Sequence, residues 1–167
     1  MGRESLFAPW RMDYIRSLGA PGEKGCFLCL AAAAESEKEK VERLVLWKTQ
    51  ESVVLMNRFP YTNGHLLIAP RAHKAETEEL TKEEKLDLME QTDQAIRLLK
   101  RAVSAQGFNV GINFGRCAGA GLPGHLHQHV VPRWGGDVNF MSVVGEIQVV
   151  PEAITTLYRE LLKVRAG

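Results

Sequence analysis

The sequence predicts an α+β fold: an antiparallel sheet of about five strands, one long helix packed on it and a C-terminal helix. Three observations carry this expectation. Short runs of β-branched and aliphatic residues are separated by turn-forming stretches. One segment beginning at Thr81 repeats apolar residues at helical spacing over several turns. The order is strands, long helix, strands, final helix, with no internal repeat. At 167 residues the chain has the length of one domain with a real core. Residues 1–25 read as an N-terminal extension and 26–167 as a single domain.

The elements follow in order. Residues 1–25 read as irregular, with a turn of helix around Arg11 to Leu18. A short helix is expected over Leu28 to Glu39, and the mixed-charge run from Glu35 to Arg43 reads as a solvated face. Val45–Lys48 and Ser52–Met56 are strands around the polar turn Thr49-Gln50-Glu51. Asn57 to Gly64 is a turn-rich loop, and His65 to Ala69 a strand closed by Pro70. Thr81 is an N-cap with Glu84 completing a capping box. Leu86, Met89, Ile96, Leu99 and Val103 give that helix one apolar stripe, and Gly107 is its stop. Phe108, Val110 and Ile112 alternate with Asn109, Gly111 and Asn113, the pattern of a half-buried strand. Pro151 is expected to open the last helix, with Ile154, Leu157, Tyr158, Leu161 and Leu162 buried.

Bulk properties exclude several classes. A formal net charge of +1 gives no electrostatic case for nucleic-acid binding. The first ten residues carry early charges and no apolar run of signal-peptide length, and no stretch approaches membrane-spanning length. Cytoplasmic residence is the default expectation. Three cysteines do not suggest a disulfide framework. Cys26 and Cys29 form a Cys-x-x-Cys pair, which suits half a metal site or a redox motif. The loop Gly19 to Gly25 stands where a redox motif would have a strand, so half a metal site is preferred, completed by histidines.

The chemistry concentrates in one place. Of five histidines, His125, His127 and His129 fall at alternate positions just before Pro132, which is expected to end their strand. In extended chain, residues two apart share a face, so the three imidazoles line one side and Leu126, Gln128 and Val130 the other. Clustered imidazoles disfavour each other's protonation, which keeps one neutral and nucleophilic near pH 7. A neighbouring ring can then stabilise negative charge, a combination suited to phosphoryl-type transfer. The preceding loop, Gly115 to Gly124, has four glycines in ten residues and offers backbone N–H groups to phosphates. A catalytic metal on His-x-His and three solvated strand histidines are the competing readings.

The run His125-Leu-His-Gln-His-Val-Val131 resembles the signature of the histidine triad (HIT) superfamily. Met56-Asn57, Gly64 to Pro70, Asn113-Phe-Gly115 and Ala118-Gly119 resemble the family's other landmarks, in its order. Leu6 to Ile15 and His129 to Phe140 resemble a bacterial branch related to diadenosine tetraphosphate phosphorylases. The resemblance implies a HIT-like fold and a nucleotidyl-histidine intermediate on His127. It implies substrate contacts by His129 at the phosphate, Asn57 at the ribose, and Asn113, Gly119 and Gly121 around the phosphates. His65, which opens a strand beside the ribose loop, is counted with the substrate site, as a hydrogen-bonded support of the triad or as a satisfied structural histidine. Inorganic phosphate would be the second substrate of a phosphorylase; water would replace it in a hydrolase of dinucleoside polyphosphates or nucleoside phosphoramidates. A nucleotide-binding module without catalysis is the remaining alternative. The resemblance also implies a homodimer, no organic cofactor, and a structural zinc on Cys26, Cys29, His73 and His125. Two departures stand out: Gln128 where an apolar residue is usual, and Ala120-Gly121 where a Gln-Ser pair is frequent.

Overall fold

The structure, a computed structural model, describes residues 25–137 and 153–167. The helix expected around Arg11 and the start at Pro151 lie outside the described residues. Within them the order is helix α1 (Phe27–Ala33), helix α2 (Glu37–Glu42), strands β1 (Val45–Lys48), β2 (Ser52–Met56) and β3 (Leu66–Pro70), helix α3 (Lys82–Val103), strands β4 (Gly107–Ile112) and β5 (Gln128–Arg133), and helix α4 (Ile154–Ala166). The five strands form one antiparallel sheet in the order β1-β2-β3-β5-β4.

Local chemistry sets the element ends. The expected helix over Leu28 to Glu39 is two helices. Ser36 accepts from the Glu39 backbone N–H while the Glu39 carboxylate accepts from Ser36, and this capping box starts α2 afresh. The same device opens α3, where Thr81 and Glu84 cap each other. Helix α3 ends at Val103 rather than near Gly107, because Ser104 takes a left-handed conformation and its N–H closes on Leu99. Gly107 instead opens β4.

The two faces of the sheet differ. Strands β2 and β3 are buried on both sides, so they read as continuous apolar runs. On one face Val54, Met56, Leu66, Ile68, Leu126 and Val130 pack against α3 and α4. On the other, Val53, Leu55, Leu67 and Ala69 pack against Leu28, Ala31 and Ala32 of α1. Helix α4 buries Leu157, Tyr158 and Leu161, and the Tyr158 hydroxyl donates to the Val45 carbonyl at 2.8 Å. No helix among the described residues is long and apolar enough to cross a membrane.

The stripe expected on α3 is corrected. Leu86 and Met89 are 61% and 58% exposed, while the core face carries Leu88, Ala95, Leu98 and Leu99 together with Glu84, Gln91 and Thr92. Polar residues hold that face because each finds a partner. Glu84 pairs with Lys74, Gln91 accepts from Trp47 Nε1 at 2.8 Å, and Thr92 Oγ1 accepts from Gln128 Nε2 at 2.5 Å. Gln128 therefore faces α3, away from the imidazoles. The expected end at Pro132 is also corrected: β5 continues through it to Arg133. Pairing with β3 stops at Val130, so Pro132 lies where β5 has a neighbour on one side only.

The Gln128–Thr92 pair generates a test. Thr92→Val leaves a buried amide without its acceptor and should cost about 1–3 kcal/mol in urea unfolding. Adding Gln128→Leu removes the donor too and should restore most of that loss. A double variant no more stable than Thr92→Val would discount the pair.

Candidate active site and metal centre

Ladder pairing of β5 begins at Gln128, so His125, Leu126 and His127 stand just outside the sheet and only His129 is a strand residue. The alternation expected of the triad nonetheless persists, with Leu126 and Val130 in the α3-side core. The segment before the strand is held by loop 70–74. The His125 Nε2–H donates to the Pro70 carbonyl at 2.9 Å, and the Leu126 N–H to the Lys74 carbonyl at 2.7 Å. Lys74 is anchored in turn by its ion pair with the buried Glu84, whose carboxyl is held below its ordinary range. Burial pushes it up, and the Lys74 ammonium and the Thr81 N–H outweigh that.

His127 folds its Nδ1 back onto the His125 carbonyl at 2.8 Å. A carbonyl only accepts, so the proton of neutral His127 lies on Nδ1 and Nε2 keeps a lone pair. No hydrogen bond engages that Nε2 among the described residues. The His129 ring lies edge-on to His127 with centroids 5.1 Å apart. His129 Nδ1 meets His65 Nε2 at 2.9 Å, and His129 Nε2 is buried with no hydrogen-bond partner among the described residues. Across the β4–β5 ladder, His129 pairs with Gly111, where an added Cβ would meet nothing within 4 Å. That leaves open space on the imidazole face of the sheet.

His65 is fully buried, and both its ring nitrogens are engaged inside the protein. Counted with the substrate site in the sequence, it has no ring nitrogen left for a ligand, and its contact with His129 is of the supporting kind. Asn57, expected at the ribose, also turns its amide inward, to His65 Nδ1 at 3.2 Å and the Phe59 N–H at 3.0 Å. Gly64 makes the close approach before His65 possible. Its φ is +81°, and a Cβ would come within 3.1 Å of Leu99 Cδ2 and 3.3 Å of Pro132 Cγ. Burial, then the neighbouring rings of His129 and His127, lower His65 to about 3. Burial and His127 lower His129 to about 4.

Asn113 follows and His127 precedes the Ile112–Gln128 pair that ends the β4–β5 ladder. The Asn113 amide nitrogen lies 3.8 Å from where a Gly119 Cβ would stand, so the Gly-rich loop folds back towards β4. A 3-10 turn over Arg116–Ala118 ends at Gly119 with φ +93°. Gly121, Arg116 and Cys117 are exposed on the same loop. Sequence reading missed two residues. The half-exposed Tyr61 ring stacks on His129 at 5.7 Å and tilts over His65 at 4.7 Å, and Gly111 opens the face above His129. An aromatic in the turn-rich loop was the signal for the first; a strand glycine paired with a histidine is visible only in the register.

Cys26, Cys29, His73 and His125 converge, with one ligand atom from each within 4.8 Å of the others. Cys26 Sγ lies 3.1 Å from His125 Nδ1, Cys29 Sγ 3.4 Å from the same atom, and Cys29 Sγ 3.1 Å from His73 Nδ1. Because Pro70 takes the Nε2–H of His125, the lone pair on Nδ1 points at the two sulfurs. A carbonyl on one ring nitrogen is a common way of orienting metal-binding histidines. Two thiols and two imidazoles in a compact cluster suit a tetrahedral cation, so the four residues are close enough to hold one metal ion. Burial and the adjoining Cys26 push the Cys29 thiol up. The cluster joins α1, loop 70–74 and the triad.

The buried rings generate a pH test. His65 and His129 stay neutral in the fold, while the unfolded chain takes up protons near the ordinary value of 6.5. Their contribution is complete above the unfolded value and is lost as pH falls towards about 4 for His129 and about 3 for His65. The slope is up to about 1.4 kcal/mol per pH unit for the fully buried His65 and less for the half-buried His129, where solvent screening discounts it. Urea midpoints measured on the acid side of neutrality should follow this slope, and His129→Asn should reduce it. An identical slope in that variant would contradict the neutral burial of His129.

Comparison with known proteins agrees with this geometry. A HIT domain family model matches residues 38–136. The chain is 36% identical over 160 residues to the AP-4-A phosphorylase of Mycobacterium tuberculosis, covering 95% of this chain and 82% of that protein. It is 29% identical over 115 residues to the asymmetrical bis(5'-nucleosyl)-tetraphosphatase of Schizosaccharomyces pombe, covering 68% of this chain and 63% of that one. In structure it resembles a Zn-bound histidine triad family protein from Mycobacterium smegmatis, with TM-score 0.66, 23% identity, and 85% and 94% of the two chains covered. A match over most of the triad-bearing domain and a relative aligned along nearly the whole chain make the same assignment: this chain belongs to the HIT family.

Proposed function

We propose that this chain is a nucleotidyltransferase that cleaves dinucleoside polyphosphates by phosphorolysis, converting diadenosine tetraphosphate and inorganic phosphate to ATP and ADP. The observation that carries the reading is the pairing of two rings with centroids 5.1 Å apart: His127, with a lone pair on Nε2, and His129, with a buried Nε2 that has no partner among the described residues. The similarity to the mycobacterial phosphorylase supports the substrate class. His127 Nε2 attacks the α-phosphorus, the bond from that phosphorus to the bridging oxygen breaks, and ATP leaves. A phosphate oxygen then attacks the same phosphorus, the P–N bond breaks, and ADP leaves with His127 restored. In this reading His129, Asn113 and the backbone N–H groups at Gly119 and Gly121 would meet the phosphate oxygens as they gain charge. The similarity to the yeast tetraphosphatase favours hydrolysis as the second reading, with water in place of phosphate.

Cys26, Cys29, His73 and His125 would hold a structural zinc. When bound it supplies a cross-link and takes no part in the covalent step. Their donor chemistry supports this, as does the zinc in the mycobacterial neighbour. The reading further takes the chain as a cytoplasmic homodimer. The sheet edge at β4, with Val110 and Phe114 exposed, supports pairing of two copies, which sedimentation would test.

Product, variant and metal measurements test these assignments. Diadenosine tetraphosphate should give ATP and ADP only when phosphate is present. AMP and ATP in water alone would select the hydrolase, and tight AMP binding without turnover a binding module. His127→Ala should lower kcat by at least about 10³-fold with an unchanged circular dichroism spectrum; retained activity would end the nucleophile assignment. Elemental analysis should find zinc equimolar with protein. Chelation should lower Tm by about 10 °C, the equivalent of about 3 kcal/mol at this length. Protein purified with reduced cysteines and no metal would contradict the zinc assignment.

A further inference from the structure

We propose that Cys26 and Cys29 form a reversible oxidation site, at which a hydroperoxide turns the thiol pair into a disulfide and loosens the segment that carries His127. The oxidation rests on the geometry of the pair. Its effect on turnover rests on the nucleotidyl-transfer reading, and the release of a metal ion on the zinc reading.

The pair stands at the start of α1, with Cys26 as its N-cap and Cys29 in the first turn. Residues three apart on a helical turn face each other, and here the two Sγ atoms lie within 4.8 Å. Closing that gap to the about 2 Å of an S–S bond takes side-chain rotation and a small adjustment of one turn. Both cysteines are partly exposed and His73 beside them is exposed, so a small oxidant reaches the sulfurs. With hydrogen peroxide, one sulfur attacks a peroxide oxygen, the O–O bond breaks, and a sulfenic acid and water form. The second sulfur then attacks the first, the S–O bond breaks, and a second water leaves. The sulfurs together give up two electrons and two protons, and the peroxide is reduced to water. A dithiol reverses the change by thiol–disulfide exchange.

The consequence runs through His125. Its Nε2–H is engaged by the Pro70 carbonyl, so its Nδ1 accepts from the thiols at 3.1 and 3.4 Å. A disulfide has no proton to donate, and the thiolate is the form of cysteine that binds metals. Oxidation therefore leaves Nδ1 of a fully buried ring without a donor, and takes both sulfur ligands from a cation held by the cluster. His73 loses its contact with Cys29 Sγ at the same time. Loop 70–74 thus gives up one anchor, and this loop holds His125 at Pro70 and Leu126 at Lys74. His127 follows directly, with its Nδ1–H on the His125 carbonyl. The end of the Gly-rich loop meets the same cluster, since a Gly124 Cβ would stand 3.7 Å from His73 Nε2.

The test uses the full chain as purified, with hydrogen peroxide as oxidant and dithiothreitol as reductant. Trypsin cuts at Lys24, Lys38 and Arg116, so Cys26 and Cys29 share one peptide and Cys117 falls in another. Alkylation and mass spectrometry then read the pair directly. Peroxide should protect both Cys26 and Cys29 from alkylation and release bound zinc to a chromogenic chelator. Hydrogen exchange at the Leu126 amide should quicken by about tenfold or more. The kcat with diadenosine tetraphosphate and phosphate should fall by about tenfold or more. Dithiothreitol with zinc should reverse each change, and Cys117→Ser should respond to peroxide as the wild type does. Three results would overturn the proposal: Cys26 and Cys29 still open to alkylation after peroxide, a disulfide formed with Leu126 exchange and kcat unchanged, or a loss that dithiothreitol with zinc does not reverse. Metal-free protein that still forms the disulfide and loses activity would refute the zinc reading alone. A chain without turnover on any dinucleoside polyphosphate would refute the transferase reading alone, and alkylation and exchange would still decide the oxidation site.

Discussion

An imidazole has one proton and two nitrogens, and the chemistry available to this chain turns on where that proton sits. Backbone groups decide it for each member of the triad. The Pro70 carbonyl takes the Nε2–H of His125 and aims its Nδ1 at two thiols. The His125 carbonyl takes the Nδ1–H of His127 and frees its Nε2. The Tyr61 amide acts on His129 through His65. Three identical side chains two residues apart thereby acquire three different surroundings. Burial reinforces this by keeping His65 and His129 neutral, since a charged ring there would forgo hydration without a counter-ion.

That arrangement needs a rigid frame, because His127 stands outside the sheet ladder. Loop 70–74 supplies two of the holds, at Pro70 and Lys74, and is itself fixed at two points. One is the Cys26–Cys29–His73–His125 cluster, which also ties down the start of α1. The other is the Lys74–Glu84 pair, set at the first turn of α3 by the same carboxylate that caps the helix. The Cys/His cluster and the long helix therefore bear on the proposed nucleophile from opposite faces of the sheet.

Much of the fold was legible because local signals agreed with tertiary ones. Val45–Lys48 and Ser52–Met56 were read with their observed ends, and the α3 capping box formed where Thr81 and Glu84 suggested. The errors have local causes, and on a helix hydrophobicity marks a buried face only where burial is apolar. On α3 the buried stripe holds Glu84, Gln91 and Thr92, so Leu86 and Met89 misled. At Pro132 the rule that proline ends a strand failed because its neighbour on one side had already stopped pairing.

What the sequence alone determined was the inventory: the spaced imidazoles, the Cys-x-x-Cys pair, the Gly-rich loop and the order of elements. Alternation put His125, His127 and His129 towards one face, since that period is a property of extended chain itself. Which histidine meets sulfur, which keeps a lone pair and which is left a buried nitrogen with no partner among the described residues were decided only by the tertiary structure. His73 and Cys29 lie 44 residues apart, and His65 and His129 64 apart. Such pairings form only when the strands register. Hydrogen-bond direction then follows from the backbone groups that the register brings alongside.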